Sequence, residues 1–256
     1  MVVNFDPILV QLGPVRLSWY GLMYVFGFLA SYFLVLYQMK HKDFGLSRQE
    51  VDSIYFYLAL GLIIGARLGY VLFYDFSMYR KDPFEILFIW RGGMSFHGGL
   101  IGVLVGWFIF CWKNKKSLWR TADLFVITAP IGLGLGRIGN FINGELYGRV
   151  TQVPWGMIFP KGGPLPRHPS QLYESVLEGG VLFFILWFMK EKKLRPGGLL
   201  AAFLSLYGGF RFFLEFFREP DVQLGFVFGP FTMGQVLSSF MIAVGIFLLF
   251  FLKKEV

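Results

Sequence analysis

Arg211, Glu215 and Arg218 fall at i, i+4 and i+7, so on a helix they share one face that reads plus, minus, plus, with Arg211 about 10 Å deeper along the axis than Arg218. A guanidinium is a planar fork of donors that grips an oxyanion through paired hydrogen bonds, and phosphate is the natural anion for it in a dry setting. A second polar group closes the run GLGLGRIGNFINGELYG, Gly132 to Gly148, where Arg137, Asn140, Asn143 and Glu145 follow a stretch of small and apolar residues. His97 stands in GGMSFHGGLIG among glycines that leave its ring uncrowded, and an imidazole is suited to take a proton from a thiol near neutral pH. Tyr20, Arg67, Gln171 and Glu174 are further polar residues within or beside apolar stretches. One buried arginine is accounted for by an ordinary ion pair, with Glu145 and Glu215 the candidate partners, whereas several arginines gathered together point to an anion site. His168, before Pro169, is expected to fix the start of the following helix, and His41, beside lysines, to lie on the surface.

The elements that must position these residues are helices in a bilayer. Of 256 residues, 55% are hydrophobic and 20% aromatic, and the mean hydropathy is +0.58, above the roughly 45–50% apolar content of soluble domains. Hydrocarbon about 30 Å thick needs roughly 20 apolar residues per helix, which gives seven segments near 18–39, 51–73, 94–112, 122–140, 171–189, 198–217 and 231–252. The fold class expected is all-α: a polytopic membrane protein of about seven transmembrane helices. The formal net charge of +8 follows the loops and reports topology, with no call for nucleic acid. Lys40, Lys42, Arg48, Lys113, Lys115, Lys116, Arg120, Lys190, Lys192, Lys193, Arg195, Lys253 and Lys254 lie on one side. The other side carries fewer in longer stretches: Arg16, Arg80, Lys81, Arg91, Arg149, Lys161, Arg167 and Arg218. The denser side is cytoplasmic by the positive-inside rule, so the N-terminus is outside and the C-terminus inside.

On that orientation Tyr20, Arg67, His97, Arg137, Asn140, His168, Gln171, Glu174, Arg211, Glu215 and Arg218 all fall toward the outer half, and the chain is expected to do polar chemistry on a lipid. The connection at about 141–170, with five prolines and several glycines, reads as an ordered or hinged loop forming a small external cap. The rest reads as a single integral-membrane catalytic domain, 1–256, without a cleavable signal peptide. Gly61, Gly65 and Gly69, and Gly98, Gly102 and Gly106, recur at the spacing that lets helix backbones approach closely. The GxGxxG formed by Gly134, Gly136 and Gly139 lacks the βαβ setting and the acidic residue of a dinucleotide fold, so these glycines are read as thinning the helix for close packing or letting an anion approach the backbone. One cysteine, Cys111, excludes an intrachain disulfide, three histidines make a multi-histidine metal site hard to build, and no metal or cofactor is expected. An anion transporter would also use buried arginines, though near the midplane and commonly with repeat symmetry, and a structural subunit would use the cluster as internal glue.

GRIGNFINGELYG resembles the signature of the bacterial prolipoprotein diacylglyceryl transferases. WYGLMY (Trp19 to Tyr24), GARLGYVLFY (Gly65 to Tyr74), GGMSFHGGLIG (Gly92 to Gly102), RHPSQLYE (Arg167 to Glu174) and GGFRFFLEFFREPD (Gly208 to Asp221) are similar to its other blocks, in order. The resemblance implies a seven-helix bacterial inner-membrane enzyme, N-terminus outside, with its active site toward the outer face. It implies transfer of the diacylglyceryl group of phosphatidylglycerol to the lipobox cysteine of a preprolipoprotein signal peptide, leaving a thioether and releasing glycerol 1-phosphate. The partners are then that lipid, that peptide and the bilayer, with no nucleic acid, and the enzyme is expected as a monomer. It implies catalytic roles for His97, Tyr20, Arg137 and Arg211, and lipid binding by Arg137, Asn140, Glu145, Gly148, Arg211, Glu215, Arg218 and Arg67. Ser18 departs from the histidine that some members carry before Trp-Tyr.

Overall fold

A computed structural model of the chain describes residues 1–13, 15–220 and 225–252; Asp221, Lys253 and Lys254 of the sequence reading lie outside the described residues. Each of the seven apolar segments is helical. The helices are α1 (Trp19–His41), α2 (Arg48–Phe73), a short α3 (Phe76–Lys81), α4 (Phe96–Lys113), α5 (Leu118–Val126), α6 (Ala129–Ile142), α7 (Ser170–Glu174), α8 (Leu182–Met189), α9 (Gly198–Leu214) and α10 (Met233–Phe251). A π-helical segment, Ser175–Val181, joins α7 to α8, so that 170–189 is one continuous rod. Among the described residues, five helices are long and apolar enough to cross a membrane: α1, α2, α4, the 170–189 rod and α10. The segment expected at 122–140 is instead the pair α5 and α6, bent by 45°, which is long enough together for a sixth. Pro130 sits in the first turn of α6, where its missing N–H costs no helical bond, and the chain re-aims there. The segment expected at 198–217 forms α9 over 17 residues, short of the roughly 20 that a full crossing needs. Two small antiparallel hairpins are additions to the all-α expectation: β1 (Ile8–Leu12) with β2 (Val15–Ser18), and β3 (Phe226–Phe228) with β4 (Phe231–Thr232).

The chain divides into two compact units, Met1–Tyr37 with Ala122–Val256, and Gln38–Thr121. In the second, α2 starts with a capping box in which Ser47 and Glu50 exchange backbone contacts, and it packs on α4 through the two glycine rows. A side chain at Gly65 would run into the Gly98 carbonyl and the Gly102 backbone, and one at Gly106 into the Tyr57 carbonyl. Lipid gives helices no hydrophobic reason to associate, so this backbone contact is what van der Waals packing demands. At the capped end of α2, Lys116 adds an ion pair to Glu50 at 2.8 Å.

The first unit is built the same way around α6. A Cβ on Gly27 would stand 3.1 Å from the Gly132 Cα, one on Gly134 3.1 Å from the Gly179 Cα, and one on Gly139 2.8 Å from the Tyr20 ring. The glycine row of α6 therefore receives α1 and the π segment through Gly132, Gly134 and Gly139, whereas a Cβ on Gly136 would meet nothing within 4 Å beyond its own helix. Val126, Ile127, Leu182, Leu186, Leu199 and Ala202 form the apolar core. Asp123 ties the start of α9 to α5 by accepting from the Gly197 and Leu200 N–H groups at 2.7 and 2.9 Å. Segment 143–169 is held by backbone: Gly148 bridges to Arg218, Val150 and Met157 to Arg167, and Ile158 to Val2.

Candidate active site

The C-terminal ends of α6 and α9 and the N-terminal ends of the 170–189 rod and α10 meet in the first unit, and each brings polar residues. From α6 comes Arg137, whose Nε lies 2.6 Å from Glu174 Oε2 and 3.9 Å from Glu178 Oε2. From α9 comes Arg211, whose Nη1 lies 3.0 Å from the same Glu174 oxygen and 3.7 Å from Glu178 Oε1, while Nη2 meets Glu215 Oε2 at 2.9 Å. Arg218 Nη1 stands 3.8 Å from Glu215, whose other oxygen accepts the Thr232 hydroxyl at 3.0 Å. Glu174, Glu178 and Glu215 are buried, and so is Arg211. Carboxylates and guanidiniums thus stand three against three, the compensation that buried charge requires.

The two inner arginines are held differently. Arg211 spends both terminal nitrogens on acids, one on each side. Arg137 meets its acids most closely through Nε, and its side chain is 19% exposed, so part of its fork can face a ligand. Beyond it the turn after α6 carries a second network. Asn140 and Asn143 both donate to Glu145 Oε1, at 2.9 and 3.2 Å, and Gln171 donates to the Glu145 carbonyl at 2.7 Å. The turn runs through Gly144 at φ +61° and Leu146 at φ +55°, a left-handed backbone that costs leucine about 1–2 kcal/mol. Tyr20 opens α1 against Gly139, its hydroxyl 3.1 Å from that of Tyr24. A guanidinium edge flanked by amides and phenols can take a phosphate with its hydroxylated head group. Among the described residues no three His, Cys, Asp or Glu side chains are arranged to hold a metal ion.

A model of the prolipoprotein diacylglyceryl transferase family matches residues 7–251. Three relatives bear the name phosphatidylglycerol–prolipoprotein diacylglyceryl transferase. The protein from Desulfotalea psychrophila is 56% identical over 96% of this chain and 92% of its own length. That from Coxiella burnetii is 54% identical over 98% and 97%, and that from Geobacter sulfurreducens 51% over 95% and 94%. The chain belongs to the prolipoprotein diacylglyceryl transferase family.

The family blocks supply most of the expected residues, and the structure distributes them unevenly. Arg137, Arg211, Glu215 and Arg218 gather in one cluster, with Asn140, Glu145 and Tyr20 on the adjoining turns of α6 and α1. His97 lies in the second unit, exposed in the first turn of α4 with its ring edge-on to Phe96. One expectation needs correction. Glu145 was expected to pair an arginine; it holds Asn140 and Asn143, and Arg137 pairs with Glu174 and Glu178. Gly148, expected among the lipid-binding residues, donates its N–H to the His168 carbonyl and accepts from Arg167 at its own carbonyl, and a Cβ there would stand 2.5 Å from the Phe217 carbonyl. It is a backbone crossing point. Arg67, also expected to bind the lipid, donates through Nε to the Ile86 carbonyl, through Nη1 to those of Gly92 and Gly93, and through Nη2 to those of Glu85 and Phe88. Those bonds use every donor a guanidinium has.

Glu178 was missed altogether. Its signal was an acid inside an apolar span, four residues after Glu174, a placement expensive enough to demand a partner.

Proposed function

We propose that this chain transfers the diacylglyceryl group of phosphatidylglycerol to the thiol of a preprolipoprotein lipobox cysteine, forming a thioether and releasing glycerol 1-phosphate. The observation that carries the reading is Arg137, a part-exposed guanidinium anchored through Nε by buried acids, in a chain whose relatives bear the name of that reaction. In the step, sulfur bonds to the glycerol carbon that carries the phosphate, and the carbon–oxygen bond breaks with its electron pair leaving on the phosphate. Arg137 stabilises that departing charge directly, and Arg211, braced by Glu174 and Glu215, adds its field behind it. Tyr20 and Asn140 orient the glycerol head group by hydrogen bonds, with Glu145 fixing the Asn140 amide. His97 takes the thiol proton or orients the thiol.

The reading includes a single catalytic domain, 1–256, of seven spans with α9 as the seventh, in a bacterial inner membrane. Its N-terminus and the cap at about 141–170 face outward, the C-terminus faces the cytoplasm, and the enzyme works as a monomer. Both substrates are then met at the outer face: the lipid sideways from the bilayer, the signal peptide with its cysteine at membrane level.

The test is incubation of the purified protein with phosphatidylglycerol vesicles and a lipobox peptide, following the peptide mass. A diacylglyceryl mass gain that disappears in the peptide's Cys→Ser control is the expected result. Folded protein that leaves the peptide unchanged overturns the reading, and uptake of phosphate esters into protein-loaded liposomes would then identify a transporter.

A further inference from the structure

Resting on the reading of Arg137 as the phosphate-binding arginine with Arg211 supporting it from behind, we propose that Glu178 is a positioning residue that sets how those two arginines stand for the lipid phosphate. Glu178 has no exposed surface, so it touches neither bulk water nor an incoming head group directly. Its two oxygens nevertheless face the same nitrogens that Glu174 holds, Arg137 Nε at 3.9 Å and Arg211 Nη1 at 3.7 Å. Two carboxylates from one rod therefore sit behind two guanidiniums from two other helices. Glu174 makes the short contacts and Glu178 closes the back of the arrangement. The Tyr207 hydroxyl, from α9, lies within electrostatic reach of the same four groups, and Arg218 is the remaining cation near Glu178.

The packing that delivers Glu178 is specific. Gly179, its neighbour, meets Gly134 of α6 so closely that a Cβ on Gly179 would stand 2.7 Å from the Gly134 Cα. Gly134 lies one turn before Arg137, so this contact carries Arg137 onto the two acids. The π-helical turn holds an extra residue relative to an α-helical one, and it begins directly after Glu174 and contains Glu178. Such turns are tolerated where the displaced side chains are used. A carboxylate at this depth is costly, and in this cluster the neighbouring guanidiniums are what offsets that cost.

The experiment compares wild type, Glu178→Gln and Glu178→Ala in nanodiscs. It measures equilibrium binding of phosphatidylglycerol against phosphatidylcholine, then the KM values for lipid and for lipobox peptide. The Gln variant keeps the shape and is the decisive one, with thermal unfolding verifying that it folds. Expected is a weakening of phosphatidylglycerol binding by about tenfold in Glu178→Gln, a rise of similar size in the lipid KM, and an unchanged peptide KM. Gln binding the lipid as wild type does, or losing kcat with both KM values intact, overturns the proposal, since a merely structural acid would behave that way. Wild type that prefers phosphatidylglycerol but transfers nothing would sink the functional reading alone, because the binding of the Gln variant still decides the role of Glu178. Wild type without that lipid preference would remove both.

Discussion

At the scale of single residues, the cluster separates charges that hold a ligand from charges that hold each other. Arg211 spans two acids through two different nitrogens, which a lysine ammonium on a flexible stem cannot reproduce. Arg211→Lys should therefore lower turnover about a hundredfold in a steady-state assay, with the protein still folded; near-normal turnover would show that the paired geometry is unimportant. Arg67 makes the opposite case. Its hydrogen bonds among the described residues all go to carbonyls of 85–93, and its guanidinium lies over the Tyr79 ring, so Arg67→Lys, keeping at most three donors, should destabilise the protein by about 3 kcal/mol in thermal unfolding while leaving the lipid KM unchanged. A higher lipid KM in a protein of wild-type stability would restore Arg67 to the binding residues. His168 carries the pH dependence outside the spans. Burial pushes its imidazole below the ordinary histidine value, and its Nδ1 shares a hydrogen bond with the Tyr173 hydroxyl, which accepts from Trp155. The unfolded chain then takes up the proton first as pH falls, so this contribution is present above the ordinary value near 6.5 and is lost as pH drops through the lowered one. Denaturation followed from pH 8 to 5 should show that loss in wild type and a flatter curve in His168→Phe.

At the scale of elements, glycine rows do the work that apolar side chains do in water-soluble cores. The α2 and α4 backbones touch through Gly61, Gly65, Gly98 and Gly102, and the α6 and π-segment backbones through Gly134 and Gly179. Gly65→Ala must push the helices apart, because the obstacle is the Gly98 carbonyl rather than a flexible side chain end. A loss of about 1–3 kcal/mol in detergent unfolding is expected, against near-neutrality for Gly136→Ala, whose Cβ would meet nothing within 4 Å beyond its own helix. Equal effects at the two sites would remove the packing account. These rows were legible in advance because a helix must show small residues on one face to approach another so closely. The bend before α6 was less legible: Pro130 is visible in the sequence, yet a proline near a helix end either begins a helix or kinks one, and the neighbours decide.

At the scale of the whole molecule, the proposed orientation is open to a direct test. In a Cys111→Ser background, cysteines placed at Lys115 and Lys192 should react with a membrane-impermeant maleimide only in inverted vesicles, and one at Gly163 only in intact spheroplasts. The reverse pattern would turn the arginine cluster to the cytoplasm and end the outer-face reading.

The sequence alone determined that the chain is a helical membrane protein, which stretches are apolar, that rows of glycine pack its helices and which family the blocks match. Each follows from local composition and spacing, since the bilayer imposes a length and a polarity on every span. It also marked Arg137, Arg211 and Glu215, because charge in an apolar helix is too costly to be incidental. Only the tertiary structure decided who partners whom. Glu145 is eight residues from Arg137 yet serves two asparagines, while Glu174 and Glu178, far away in the chain, take the arginine. The carbonyls that satisfy Arg67 leave no trace in side-chain identity at all, because every residue has one. Ion pairs and backbone acceptors depend on which helices lie side by side and at what height, and that is fixed by close packing rather than by any pattern along the chain.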